Sequence, residues 1–377
     1  MSQAASHHHM RGMTLPQEYY TADENFRHDI ERIYLRSWLY AGHISQLPEP
    51  GCYLTVELGT TNVIVVRSAD GGLHALHNVC RHRGARICSD PCGQVKKNLV
   101  CQYHGWSYRL DGRLATAPRM PEDFDRSRWG LKPAWVEEWQ GMIYVALGDE
   151  PAAPVAETLG NIAVDCAQFG IKDAKVAHTI VYDVAANWKL IMENYRECYH
   201  CQMNHPEFIG AIDIWQHEGS RRDQEKRYHP DYSFADLPLK LGCRTQTLDG
   251  SFASKVLLGD YAAGELPDRV VGLCWYPGNT MAWGADYGTA FGLRPLAADR
   301  TLAVSHWFVP AAAVEGVDYK VEDVIALWDV TNRQDFWLSE LNQRGVESPA
   351  YEPGVYNLDM EDDVQHFVDA YLRMLGA

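Results

Sequence analysis

"CRHRGARICSDPCGQVKKNLVCQYHGW", residues 80–106, carries two matched pairs of metal-ligating residue types. Cys80 and His82 form the first, as Cys-x-His. Cys101 and His104 form the second, as Cys-x2-His. A glycine follows each pair, Gly84 and Gly105. A zinc site of the Cys2His2 finger kind would place both histidines on one helix at H-x3–5-H spacing. Here each histidine is tied to its own cysteine, and both pairs fall in hairpin context. A chance grouping of core residues is the other simple reading, and the density of ligand types argues against it.

The flanking segments set that context. "CYLTVELG", "TNVIVVRSADGGLHALHNV" and "LVCQYHGWSYRLDGRL" alternate or run apolar between Gly and Asp-Gly turns. They predict hairpins of a small all-β unit, closed by "GMIYVALGD" near 141–149. Before it, residues 15–41 predict a helical arm. The leader "MSQAASHHHMRGM" reads as a solvated tail outside the fold, and "EPAAPVAE" at 150–157 reads as a linker. Beyond it, helical and strand patterns mix. "NWKLIMENYRECYHCQMNHPEF" (187–208) predicts a helix ended by proline, and 318–345 a long helix ended by glycine, with at most one break. "DDVQHFVDAYLRML" predicts a final amphipathic helix. The pattern is a β domain followed by an α+β domain.

The chain has 377 residues and a formal net charge of −16. That balance excludes nucleic acid and anionic membrane as partners, since both require basic surface. No apolar run approaches the ~20 residues of a membrane span, and no secretory signal opens the chain. A cytoplasmic location is expected. Ten cysteines at irregular spacing point to metal binding or burial rather than a disulfide framework.

The paired loops, their glycines and the "YHGW" ending resemble the 2Fe–2S site of Rieske proteins. In those, one iron takes two cysteine thiolates and the other two histidine nitrogens, one of each from each loop. The resemblance implies Cys80, His82, Cys101 and His104 as cluster ligands. Respiratory Rieske proteins carry an extra disulfide-bonded cysteine in each loop; Ala85 and Tyr103 stand there instead. The match is therefore to the lower-potential oxygenase type, and Cys88 and Cys92 are read as packing or exposed thiols.

"ENYRECYHCQMNHPEF" extends the resemblance to Rieske non-haem iron oxygenases over the chain from about Tyr19 to its end. The family's Fe(II) sits on two histidines and one carboxylate, with positions left open for O2. Carried over, these are His200, His205 and Asp335, with Asp329, Asp323 and Glu340 as other acids on that segment. Glu197 matches the acid that links the two metal sites across subunits of a ring-shaped homotrimer. Cys198 and Cys201, thiols beside the ligands, are read as small packing residues on other faces of the helix. The implied architecture is α+β: a helical arm plus an all-β Rieske domain over 14–155, then a helix-grip catalytic domain over 156–377.

The resemblance also implies partners and chemistry. A flavin- and ferredoxin-type NAD(P)H reductase would supply electrons, O2 the oxygen atom. Arg81, Arg83, Arg86, Lys96 and Lys97 crowd the cluster loops, either as a docking patch for that reductase or as balance for nearby acids. "RECYHC", "TLDG" and "YEPGVY" are similar in style to members that N-demethylate quaternary-ammonium carboxylates such as glycine betaine, proline betaine or carnitine, releasing formaldehyde. A quaternary cation calls for aromatic faces. Tyr195, Trp215, Trp275, Tyr276, Trp283, Tyr287, Phe291 and Trp307 are candidates, most of them expected in the core. Hydroxylation of a small aromatic compound, a non-catalytic Rieske electron carrier, and a zinc-stabilised binding module are the alternatives.

Overall fold

We describe residues 10–149, 153–214, 227–259, 261 and 266–376 of a computed structural model. Trp215, residues 1–9 of the leader and residues 150–152 of the expected linker lie outside the described residues. The chain forms two compact units. One spans Leu35–Asn161; the other joins the N-terminal arm, up to Tyr34, with the chain from Ile162 onward.

The Leu35–Asn161 unit is all-β in its framework. Strands β1 (Leu39–His43), β2 (Cys52–Leu58), β3 (Thr61–Arg67), β4 (Leu73–His77), β5 (Cys92–Gln94), β9 (Pro133–Trp139) and β10 (Met142–Ala146) form one antiparallel sheet in the order β1-β10-β9-β4-β3-β2-β5. Three short strands, β6 (Asn98–Val100), β7 (Ser107–Arg109) and β8 (Leu114–Thr116), form a second. Val63, Ile64, Val65 and Val66 of β3 are fully buried. This continuous apolar run suits a strand covered on both faces. Ile64, Val66, Leu76, Leu99, Trp106 and Tyr108 close a core against Cys80 and Cys101.

In the other unit a single antiparallel sheet runs β11-β17-β16-β15-β14-β13-β12. Its strands are β11 (Ala174–Val184), β12 (Arg227–His229), β13 (Tyr232–Pro238), β14 (Arg269–Trp275), β15 (Asn279–Trp283), β16 (Gly288–Ala297) and β17 (Arg300–Pro310). A long helix, Val321–Val346, is pinned to the end of β11 and the segment after it. Asp329 accepts from Tyr182, Glu340 from the Ala185 amide, and Gln343 from the Asn187 amide. This is the expected helix-grip arrangement.

The segment Asn187-Trp188-Lys189 shows how sequence fixes the neighbouring Trp188–Asn194 helix. Asn187 caps it by accepting from the Lys189 amide, while its own amide group donates to Tyr20 and Ala298 carbonyls. Asp29 of the arm accepts from Trp188 Nε1 at 3.0 Å, from Tyr371 Oη at 2.9 Å, and from Lys189 Nζ. Asp29 and Lys189 are both fully buried. A buried charge is tolerated only when paired and hydrogen-bonded, and these donors meet both demands.

Several expectations change here. The arm was read with the Rieske domain, yet up to Tyr34 it groups with the second unit, because Asp29 and Tyr20 find their partners there. Residues 39–43 are strand β1, not helix, because they pair with β10. Gly12 and Met13 are not a free tail: the Gly12 carbonyl accepts from the Tyr356 amide, and Met13 bridges to Val355. The long helix is unbroken and holds Gly345 inside its last turn. The segment 187–208, read as one helix ended by proline, is instead broken between Asn194 and Cys201, and that break belongs to the site.

Replacing Lys189 by Met leaves the Asp29 carboxylate buried without its cation. We expect a loss of about 3–5 kcal/mol, measured as a lowered urea midpoint for this unit. An unchanged midpoint would show that the pair does not hold the arm.

Candidate metal centres and cavity

The two loops of the β unit have the same backbone design. The Gly84 amide donates to the Cys80 carbonyl and the Cys80 amide to the Ala85 carbonyl, both at 2.9 Å. The Gly105 amide donates to the Cys101 carbonyl at 3.0 Å and the Cys101 amide to the Trp106 carbonyl at 2.9 Å. Each turn closes through a left-handed residue, with φ of 78° at Gly84 and 72° at Gly105. Glycine adopts this without steric cost. Each loop thereby lifts its histidine outward and turns its cysteine inward: Cys80 and Cys101 are buried, His82 and His104 exposed.

The donor atoms fit a two-iron cluster. His82 Nδ1 and His104 Nδ1 lie 3.1 Å apart, each ring steadied by an aromatic. His82 stacks on Trp106 and His104 on Tyr103. Burial pushes the Cys101 thiol up, and the Cys80 sulfur beside it adds to the rise. Two buried sulfurs and two converging imidazoles make a two-thiolate, two-imidazole set. Tyr108, which the sequence reading passed over, completes it. Its hydroxyl accepts from the Arg81 amide at 3.0 Å and lies 3.2 Å from Cys80 Sγ, which leaves its own proton available to a thiolate there. Strand alternation from Trp106 inward was the one signal available. Cys88 and Cys92 are free thiols, the first buried and the second exposed.

The second centre forms where the Trp188–Asn194 helix stops. Glu197 ends helical continuity because its side chain, not an earlier carbonyl, accepts from the Tyr199 and His200 amides. Side-chain oxygens compete with helix in this way. A short helix, Cys201–Asn204, follows, and Pro206 comes after His205. His200 therefore sits in a turn, its Nδ1–H held by Glu197 Oε1. His205 Nδ1 lies 2.7 Å from Gln334 Oε1, whose amide nitrogen in turn donates to Glu207. Both contacts leave the Nε2 lone pairs facing inward. The two Nε2 atoms are 3.0 Å apart, and Asp335 Oδ1 lies 3.2 Å from His200 Nε2 and 2.8 Å from His205 Nε2.

These three groups form the two-histidine, one-carboxylate set suited to non-haem Fe(II). Electrostatics agrees. Burial alone would lower the His200 pKa, but the Asp335 and Glu197 carboxylates outweigh it and raise it to about 10. Of the other acids, Asp329 is engaged with Tyr182 and Arg333, and Glu340 with the Ala185 amide. Cys198 and Cys201 are not separate packing residues: they are joined as a disulfide, because 198–201 is a turn that brings their Cα atoms to 4.9 Å.

A cavity adjoins His200, His205 and Asp335. Tyr195 and Phe291 line it, as does a second aromatic pair, Phe208 and Trp328. Tyr195 and Phe291 meet edge to face with ring centroids 4.8 Å apart, Phe208 and Trp328 with centroids 5.6 Å apart. Trp275, Tyr276, Trp283, Tyr287 and Trp307 are buried elsewhere, as core aromatics. Phe208 and Trp328 were missed because nothing in their local sequence marks them.

The Rieske [2Fe-2S] domain profile matches residues 37–139, and the ring hydroxylating alpha subunit (catalytic domain) profile matches residues 171–377. The glycine betaine monooxygenase oxygenase subunit of Pseudomonas aeruginosa is 38% identical over 388 residues, covering 96% of this chain and 89% of that protein. The carnitine monooxygenase oxygenase subunit of Acinetobacter baumannii is 36% identical over 238 residues, covering 59% of this chain and 64% of that protein. The crystal structure of the quaternary ammonium Rieske monooxygenase CntA with L-carnitine has a TM-score of 0.76 and 26% identity. It covers 97% of this chain and 95% of its own.

Tyr108→Phe tests the cluster environment. The lost donor stabilises the more negative, reduced state. Taking a hydrogen bond as about 1–1.5 kcal/mol and about 59 mV per tenfold for one electron, the midpoint potential should fall by roughly 40–60 mV. A redox titration giving the wild-type potential would separate Cys80 from the cluster.

Proposed function

Because the chain belongs to the ring-hydroxylating oxygenase alpha-subunit family and carries a Rieske domain ahead of its catalytic domain, we propose that it is a terminal oxygenase removing an N-methyl group from a quaternary-ammonium carboxylate, glycine betaine foremost. The observation that carries the reading is the convergence of His200, His205 and Asp335 beside a cavity lined by two aromatic pairs. Aromatic faces attract a quaternary cation. The acids among the lining residues, Glu197, Asp335 and Asp363, outnumber its one arginine, which also favours a cation.

When bound, the cluster on Cys80, His82, Cys101 and His104 relays single electrons, and Fe(II) on His200, His205 and Asp335 activates O2. The balance is one N-methyl group, O2, two electrons and two protons giving the N-hydroxymethyl compound and water. That compound then loses formaldehyde to leave the tertiary amine. The residues' own tasks are binding and orientation. Glu197 and Gln334 fix the histidine tautomers, as groups behind metal ligands do. Tyr195, Phe208, Phe291 and Trp328 hold the trimethylammonium group.

Electron supply sets the assembly. A separate flavin- and ferredoxin-type NAD(P)H reductase is the donor, met by the exposed cations Arg83, Lys96 and Lys97; Arg86 is engaged with Glu57. A solved structure of a quaternary ammonium Rieske monooxygenase, 26% identical to this chain with a TM-score of 0.78, gave insights into inter-subunit electron transfer. On that precedent Glu197, already holding His200, accepts from the outward-facing His104 of a neighbouring copy in a homotrimer. No helix among the described residues is long and apolar enough to cross a membrane, in keeping with a cytoplasmic location.

A surrogate reductase with glycine betaine, proline betaine, carnitine and small aromatic acids is the direct test. Formaldehyde should form stoichiometrically with one or more of the betaines. Hydroxylated aromatic product without formaldehyde would replace this reading with ring oxidation.

Glu197→Gln tests the bridge. An amide has one acceptor oxygen and turns its NH2 toward the second imidazole. Loss of a charge-assisted contact costs about 1.5–3 kcal/mol. We expect both metals retained, the cluster still reducible, and single-turnover product down about 10- to 100-fold. Near-normal product from the metal-replete variant would remove the bridge.

A further inference from the structure

One lining residue of the cavity is used by neither metal centre. Arg196 is 5% exposed, and it is the only lysine or arginine among the described residues lining the cavity. It follows Tyr195 in the turn that ends the Trp188–Asn194 helix. Its Nη2 donates to Ser233 Oγ and lies 3.5 Å from Asp363 Oδ2. The Cys274 thiol also lies against it. Its Nε has no partner.

A guanidinium is always charged and presents five donors in a planar fork matched to carboxylates. Buried donors left unmade are costly, and a purely structural arginine would spend its donors on the protein. We propose that Arg196 receives the carboxylate of a zwitterionic substrate, so that the cavity reads both ends of the molecule. The aromatic pairs and acids take the trimethylammonium end; Arg196 takes the other. This rests on the quaternary-ammonium carboxylate reading above and assigns a partner to its carboxylate end.

Asp363 gives the subsite its selectivity. At 3.5 Å it orients the guanidinium and offsets part of its charge. A bare carboxylate gains little there against Asp363, Glu197 and Asp335. A betaine brings a cation that those acids favour and an anion that Arg196 favours. Choline carries the same trimethylammonium group with a hydroxyl in place of the carboxylate. The ratio of betaine to choline affinity therefore isolates Arg196.

Calorimetric titration of the metal-loaded, full-length protein with glycine betaine, choline and acetate reads this directly, alongside KM for formaldehyde release. Arg196→Gln should weaken betaine about 10- to 100-fold, the range of a lost charge-assisted contact, and choline less than about threefold. The double variant Arg196→Gln/Asp363→Asn avoids stranding a buried acid and should show the same ratio. Arg196→Lys keeps the charge but not the fork, and should fall between. Wild type should bind acetate far more weakly than betaine. Equal weakening of betaine and choline in a double variant with the wild-type melting temperature overturns the proposal and makes Arg196 structural, leaving the demethylase reading intact. A wild-type protein that binds neither cation overturns both.

Discussion

The Asp29 carboxylate is the constraint from which the catalytic unit's geometry follows. Fully buried, it accepts from the Trp188 indole, the Lys189 ammonium and the Tyr371 hydroxyl. One group thus fastens the arm to the start of the Trp188–Asn194 helix and to the C-terminal helix. Asn187 adds bonds to Tyr20, Ala298 and Gln343. The helix that delivers Glu197 and His200 is therefore anchored at its first turn, about one helix length before the metal ligands. Its far end is free to abandon helical geometry because its near end cannot move.

The two metal centres solve one problem, a fixed imidazole orientation, by different means. In the β unit the backbone does the work: two glycine turns of identical hydrogen-bond pattern present matched ligands, and Trp106 and Tyr103 stack on the rings. In the catalytic unit side chains do it. Glu197 holds one imidazole and Gln334 the other. The contrast follows from context: short strands can repeat a turn, whereas a broken helix has only side chains with which to satisfy its freed amides.

Legibility in the sequence tracked how local each feature is. The cluster loops could be read from 27 consecutive residues because ligand spacing, glycines and flanking strands are all local. Strands and long helices followed from periodicity. The break after Asn194 did not, since its cause is Glu197 turning back to cap its own following amides, and glutamate otherwise favours helix. The arm's allegiance was hidden because a lone Asp29 looks like surface charge until Lys189 is found 160 positions away. Gln334 stands beside Asp335 in the chain, but its contact with His205 exists only after folding. Phe208 and Trp328 are further cases: a cavity is a property of several elements, and no one of them announces it.

Sequence separation also differs between the two centres. His82 and His104 are 22 positions apart; His200 and Asp335 are 135 apart. Closing the longer loop costs about 1.6 kcal/mol more in chain entropy by logarithmic scaling. The shorter loop lies wholly within Leu35–Asn161, where its candidate ligands approach one another as the hairpins form. The longer one waits for Asp335, 135 positions after His200. Chain topology therefore favours closure of the cluster site before the iron site. Iron, once held, would then act as a cross-link over a third of the chain, resisting unfolding of the unit that was last to form.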